Sequence, residues 1–187
     1  MKKLVSLVTL LVMLMTMAGA MAEGVVVIKS PQQQVEEEPV DMKNIKLGKD
    51  IDIEGYGVIR PVSCEFVDKI VVDYYNEFSS GDEAQYLLLI VEILNTQYVN
   101  ASYYDNVAVS ASFGDGYEFG GWKRQYKKST STEVFKNANE SFEISPLYKG
   151  KYAFVVTVPN YVVDTPAPLS ITVKLTDEIE MTYIMRK

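Results

Sequence analysis

"QYLLLIVEILNTQ", Gln85 to Gln97, decides the fold. Its middle is an almost unbroken apolar run, which suits a membrane span, a buried helix or a buried strand. A span needs about 20 apolar residues, and this run is far shorter. Ile90, Val91 and Ile93 stand at its heart, and β-branched side chains favour a packed, pleated surface. A strand apolar on both faces belongs at the centre of a sheet that is covered on both sides. Tyr86 to Leu94 is therefore expected to be a central strand.

The neighbouring sequence agrees. In "VAVSASF" Val107, Val109, Ala111 and Phe113 share one face, with Ala108, Ser110 and Ser112 on the other. In "LSITVKL" Leu169, Ile171, Val173 and Leu175 alternate with Ser170, Thr172 and Lys174. Such alternation marks strands with one buried and one wet face. Further strands are expected at 50 to 54, 57 to 71, 117 to 125, 140 to 145, 151 to 158 and 178 to 185. Turn signals separate them: "SSGDE" at 79 to 83, "FGDGY" at 113 to 117, "SPLYKGK" at 145 to 151 and "DTPAP" at 164 to 168. Gly114-Asp115-Gly116, lying between two alternating runs, predicts a hairpin. No segment carries a convincing amphipathic helical period. About seven to nine short strands predict an all-β, immunoglobulin-like antiparallel β-sandwich over residues 46–187, with a closed barrel as the alternative.

Several of these stretches together carry a family likeness. "KLGKDIDIEGYGVIRPVSCEFVDKI", "QYLLLIVEILNTQ", "VAVSASFGDGYEF", "SPLYKGKYAFVVTVP" and "LSITVKL" resemble the exported bacterial immunoglobulin-like domains of the DUF4352 or telokin-like group. Leu47-Gly48, Tyr86-Leu87, Asn95, Asp115-Gly116, Phe154-Val155-Val156 and Val158-Pro159 stand at that group's motif positions, over about residues 46 to 176. The resemblance implies an immunoglobulin-like sandwich and brings no catalytic set with it. The group's proline-glycine turn before the penultimate strand is replaced here by Tyr148-Lys149-Gly150.

The chain opens "MKKLVSLVTLLVMLMTMAGAMAEG". Two lysines, an apolar run and small residues are the order of a secretory signal peptide, expected to span residues 1–22 with cleavage after Ala22 or, alternatively, Ala20. Residues 23–45 hold three glutamines, three consecutive glutamates and two prolines, the composition of a flexible acidic linker. Within it Val25 to Ile28 could add to an exposed sheet edge. Without the signal, 16 basic residues face 25 acidic ones, a net charge near −9. That balance excludes nucleic acid and anionic membrane as natural partners. The mature chain is expected to be secreted, with no transmembrane segment and at most non-covalent attachment to the cell surface. Its oligomeric state is left open.

Chemistry is sparse. With no histidine in the chain, Ser-His and Cys-His nucleophiles and the usual zinc sets are excluded. No phosphate-binding glycine motif occurs. Asp73, Asp82-Glu83 and Asp115 are acidic turn residues without the dense ligand spacing of a calcium loop. No cofactor, metal or catalytic residue is expected. Cys64, the lone cysteine, should share a buried strand face with Phe66, Ile70 and Val72. Tyr98, Tyr103, Tyr104 and Tyr161 fall in or beside loops, where amphipathic rings make contacts.

"GGWKRQYKK", 120 to 128, stands out in an acidic protein because it clusters four cations with two aromatic rings. On a strand Trp122, Arg124, Tyr126 and Lys128 share one face, with Lys123 beside them; stacking planes and cations suit a sugar or an anionic polymer. The competing reading is a hairpin arm whose rings pack on the core. The expected function is an exported, non-catalytic module binding a protein or cell-surface glycan. The alternatives are an assembly protein pairing through its N-terminal segment, or a small carboxylate-based glycan hydrolase.

Overall fold

Eleven-residue β5, Ala84–Leu94, lies between two strands of equal length, β2 (Gly57–Val67) and β11 (Lys149–Pro159), in a computed structural model of the protein. The structure describes residues 41–71, 77–103, 105–129, 132–135 and 142–187, with only the backbone of 127–129 and 132–135. The expected signal peptide, linker residues 23 to 40, Val72, Asp73 and Tyr104 lie outside these.

β5 is apolar on both faces because both are covered. Leu87, Leu89, Val91 and Ile93 face the main core; Tyr86, Leu88 and Ile90 face a smaller cluster with Ile70, Ala153 and Val155 on the opposite side. A fully buried aliphatic side chain is worth roughly 1.5–3 kcal/mol, so this strand anchors two cores at once.

The remaining strands fall around it. β1 (Ile51–Ile53) is the edge beside β2; β8 (Tyr117–Ser129) lies beyond β11; β7 (Ala108–Phe113), β12 (Leu169–Lys174) and β13 (Glu180–Arg186) complete one curled antiparallel sheet in the order β1-β2-β5-β11-β8-β7-β12-β13. Two strand pairs, β3–β4 (Lys69–Val71 with Glu77–Ser79) and β6–β10 (Ala101–Ser102 with Glu143–Ile144), stand apart, and β9 (Thr132–Phe135) pairs with the end of β8. Taking β2, β5, β7, β8, β11, β12 and β13 as A to G, the sequence reads A-B-E-D then C-F-G. That is the constant-type immunoglobulin arrangement.

β8 makes the connection between layers. Its first half pairs with β7, from Ser110↔Gly120 to Phe113↔Tyr117, and its second half with β11, from Val156↔Gly121 to Tyr152↔Gln125. The change of partner falls between Gly120 and Gly121, where the chain must bend and pass close to β11. The β7–β8 hairpin turns at Gly114-Asp115-Gly116 as expected, with positive φ at both glycines, a conformation that glycine adopts without strain.

Three expectations need correction. Residues 41 to 45, read as the end of the linker, belong to the domain: Met42–Asn44 form a 3₁₀ turn capped by the Asp41 side chain, Ile45 is buried, and its N–H donates to the Thr182 carbonyl. Cys64 and Phe66 pack against the main core, but Ile70 does not join them, because the chain bends at Asp68 and folds β3–β4 over the outer face. A five-residue helix, Asn160–Asp164, follows Pro159 where no helix was expected. The Arg186 guanidinium donates to the carbonyls of Val162, Val163 and Thr165, which supplies partners that local propensity could not reveal.

Candidate functional site

Strand alternation sorts the aromatic-basic arm onto two faces. Trp122, Arg124 and Tyr126 lie on the outer face of the A-B-E-D layer, where Trp122 and Tyr126 pack against the Tyr86, Leu88 and Val155 cluster. Trp122 meets Phe78 edge-on with ring centroids 5.7 Å apart and Tyr86 at 6.2 Å. The Arg124 guanidinium sits 5.6 Å from the centre of the Trp122 ring, within cation–π range. Phe78 reaches this place because β3–β4 folds back on the layer, setting Phe78 opposite Ile70. A guanidinium is thus held against an aromatic wall, beside a ring that is 41% exposed.

Lys123 points the other way. Its Nζ donates to the Val107 carbonyl at 2.9 Å, and desolvation pulls its pKa below the ordinary lysine value, against the pull of Asp105. Gln125 beside it is buried in the interior. The backbone of Lys128 continues β8, and its side chain lies outside the described residues. The arm therefore brings Trp122, Arg124 and Tyr126 together and leaves Lys123 on the opposite face.

The loop tyrosines divide as well. Tyr98 is fully exposed and Tyr161 largely so, whereas Tyr103 is buried with its hydroxyl donating to the Tyr56 carbonyl at 2.7 Å. Among the described residues no group of three or more Asp, Glu or Cys side chains is placed to hold a metal ion. Also among the described residues, no helix is long and apolar enough to cross a membrane.

The structure is similar to the crystal structure of an uncharacterized β-sandwich protein from Clostridium difficile 630, with a TM-score of 0.63 and 22% identity over 81% of this chain and 98% of that one. The chain is a β-sandwich. No protein-family model and no curated protein matches it.

Inside this sandwich Cys64 is chemically quiet. Burial, with a smaller contribution from Glu65, pushes its thiol up to about 12, and the thiolate is the reactive form. The unfolded thiol ionises near 9. Between pH 9 and 12 the unfolded chain therefore releases a proton that the folded chain keeps, and stability falls as pH rises through that window. Tyr56 and Tyr152, also raised by burial, act in the same direction at higher pH. The urea midpoint is expected to be lower at pH 10.5 than at pH 8, with a smaller drop in Cys64→Ala. An equal drop in both proteins would remove Cys64 from this account.

Proposed function

We propose that this chain is an exported, non-catalytic β-sandwich module of the DUF4352 or telokin-like kind. It binds an acidic glycan or a carboxylate-bearing protein surface on the outer face of its A-B-E-D layer. The observation that carries this reading is the Arg124 guanidinium held over Trp122 beside the half-exposed Phe78 ring. A planar cation fixed in advance loses little freedom when it meets a carboxylate, and the neighbouring ring offers apolar contact to a sugar or side chain. The signal-like order of the first 22 residues supports a role for such contacts at or outside the cell envelope.

The test is co-sedimentation of residues 23–187 with isolated bacterial cell wall and with insoluble polysaccharides at two salt concentrations. Pelleting that weakens with salt, and that falls at least fivefold in Arg124→Gln and in Phe78→Ser, is expected. Pelleting unchanged in both variants would remove the site from this face. Because Trp122 also supports the outer cluster, its substitution is a poorer probe than these two.

A further inference from the structure

The B–C and D–E loops lie together at one end of the sandwich, and Asn95 joins them. This side chain, fully buried at the end of β5, donates through Nδ2 to the carbonyls of Val99 at 2.9 Å and Ile144 at 2.7 Å. Its Oδ1 accepts from the Gln97 N–H and shares the single Tyr103 hydroxyl proton with the Tyr56 carbonyl. Its backbone takes both remaining partners from the other loop: the N–H donates to the Tyr148 carbonyl and the carbonyl accepts from the Leu147 N–H. Around this fixed centre the two loops present Tyr98, Val99, Leu147 and Tyr148, at 101, 63, 78 and 69% exposure.

Leu147 is the telling residue. The Tyr148 N–H donates to the Ser145 carbonyl, closing a four-residue turn with Pro146 second and Leu147 third. Leu147 has φ of 63°. Proline followed by a positive φ is the pattern of a type II turn, whose third place calls for glycine or asparagine. A leucine there bears the left-handed strain and leaves its side chain in water, so neither folding nor packing accounts for it.

The surroundings are acidic. Tyr56, whose carbonyl accepts from Gln97 and Tyr103, belongs to the same turn as Glu54. From Glu54 a groove of about 480 Å³ runs toward the F–G loop over Met42, Ile51, Ile53 and Ile179, edged by Asp52, Glu54, Glu178 and Glu180. Beside the loops, Arg60 and Lys149 are paired with Asp50 and Glu92 at 2.6 and 2.7 Å. Two copies meeting through this end would bring like charges together; a basic partner would satisfy them.

We propose that the B–C and D–E loop end is a docking site for a cationic polypeptide partner, with Tyr98, Leu147 and Tyr148 as apolar anchors and the adjoining acidic groove receiving the partner's lysine or arginine side chains. Rigid tyrosines at the tips of well-braced loops are the usual anchors of such contacts. This site lies apart from the Arg124 face and has the opposite charge preference, so the two can fail separately.

The probe is a nine-residue peptide with three leucines among four lysines, compared with its glutamate counterpart and titrated into residues 23–187 with amide shifts followed by NMR. The lysine peptide is expected to move the amides of 97 to 99 and 147 to 148, and the glutamate peptide to move neither. Tyr98→Ser should weaken binding at least fivefold without changing net charge. Leu147→Asn should do the same while raising Tm by about 2 °C, because asparagine adopts the left-handed turn conformation with less strain. Phe78→Ser should leave the peptide affinity unchanged. The proposal is overturned if the two peptides bind alike, if the shifts fall elsewhere, or if Leu147→Asn leaves affinity unchanged or lowers Tm. A concentration-dependent dimer moving the same amides without peptide would assign the surface to a second copy and overturn it equally.

Discussion

Gly121→Ala is expected to destabilise the sandwich by about 3 kcal/mol or more, a large share of the 5–15 kcal/mol that holds a domain of this size together. A methyl group at this position would collide with the Val155 carbonyl and lie 2.7 Å from Val156 Cγ2 and 3.0 Å from Val109 Cγ1. The side chains could shift by a few tenths of an ångström. The carbonyl cannot, because it belongs to β11, which is paired with β5 on one side and β8 on the other. Overpacking against immobile backbone costs more than overpacking against rotamers. Gly120→Ala is the internal control, since its added methyl meets nothing within 4 Å. It is expected to be neutral or to stabilise by up to about 1 kcal/mol through a less flexible unfolded chain. Urea midpoints of the two variants provide the check. Equal effects would mean that the crossing of β8 between layers does not depend on close approach at Gly121.

That crossing shows what a one-dimensional pattern can carry. Periodicity located β5, the β7–β8 hairpin and β12 because each buries a regular set of side chains against the same neighbours along its whole length. It read "GGWKRQYKK" as one strand and correctly set Trp122, Arg124 and Tyr126 on a common face. It could not show that this face is already roofed by Phe78, because β3–β4 reaches it only after a bend at Asp68 and from a segment distant in sequence. The same bend separated Ile70 from Cys64. The helix at Asn160–Asp164 was hidden for a related reason: Val162 and Val163 favour strand locally, and the hydrogen bonds from Arg186 arrive from the far end of the chain. The missing proline-glycine turn was apparent in "SPLYKGK", but only backbone geometry shows that Pro146-Leu147 takes its place with leucine where glycine belongs.

Asn95→Ala should be at least as damaging as Gly121→Ala, for the opposite reason: it removes atoms. The alanine keeps both backbone hydrogen bonds to the second loop and loses all four made by the side chain. The carbonyls of Val99 and Ile144, the Gln97 N–H and the Tyr103 hydroxyl would then lose a partner in or near the interior. An unsatisfied buried group costs about 1–3 kcal/mol, and with some relaxation the expected loss is about 3–5 kcal/mol. Asn95→Asp separates hydrogen bonding from shape, because it keeps the acceptor and turns the donor into an oxygen facing two carbonyls. Its carboxyl pKa should be raised by burial and by those carbonyls. The folded form then holds its proton above the pH at which the unfolded form releases it, so the variant should be most stable at about pH 4 and below and weaken as pH rises. The wild type has no such dependence at this position. Tyr103→Phe, which removes one of the four side-chain bonds together with the hydroxyl's contact to Tyr56, should cost less than Asn95→Ala. If Asn95→Ala proved no worse than Tyr103→Phe, the two loops would be held by their own contacts and not by this side chain. Leu147 would then keep its left-handed turn without the brace that makes it a rigid anchor.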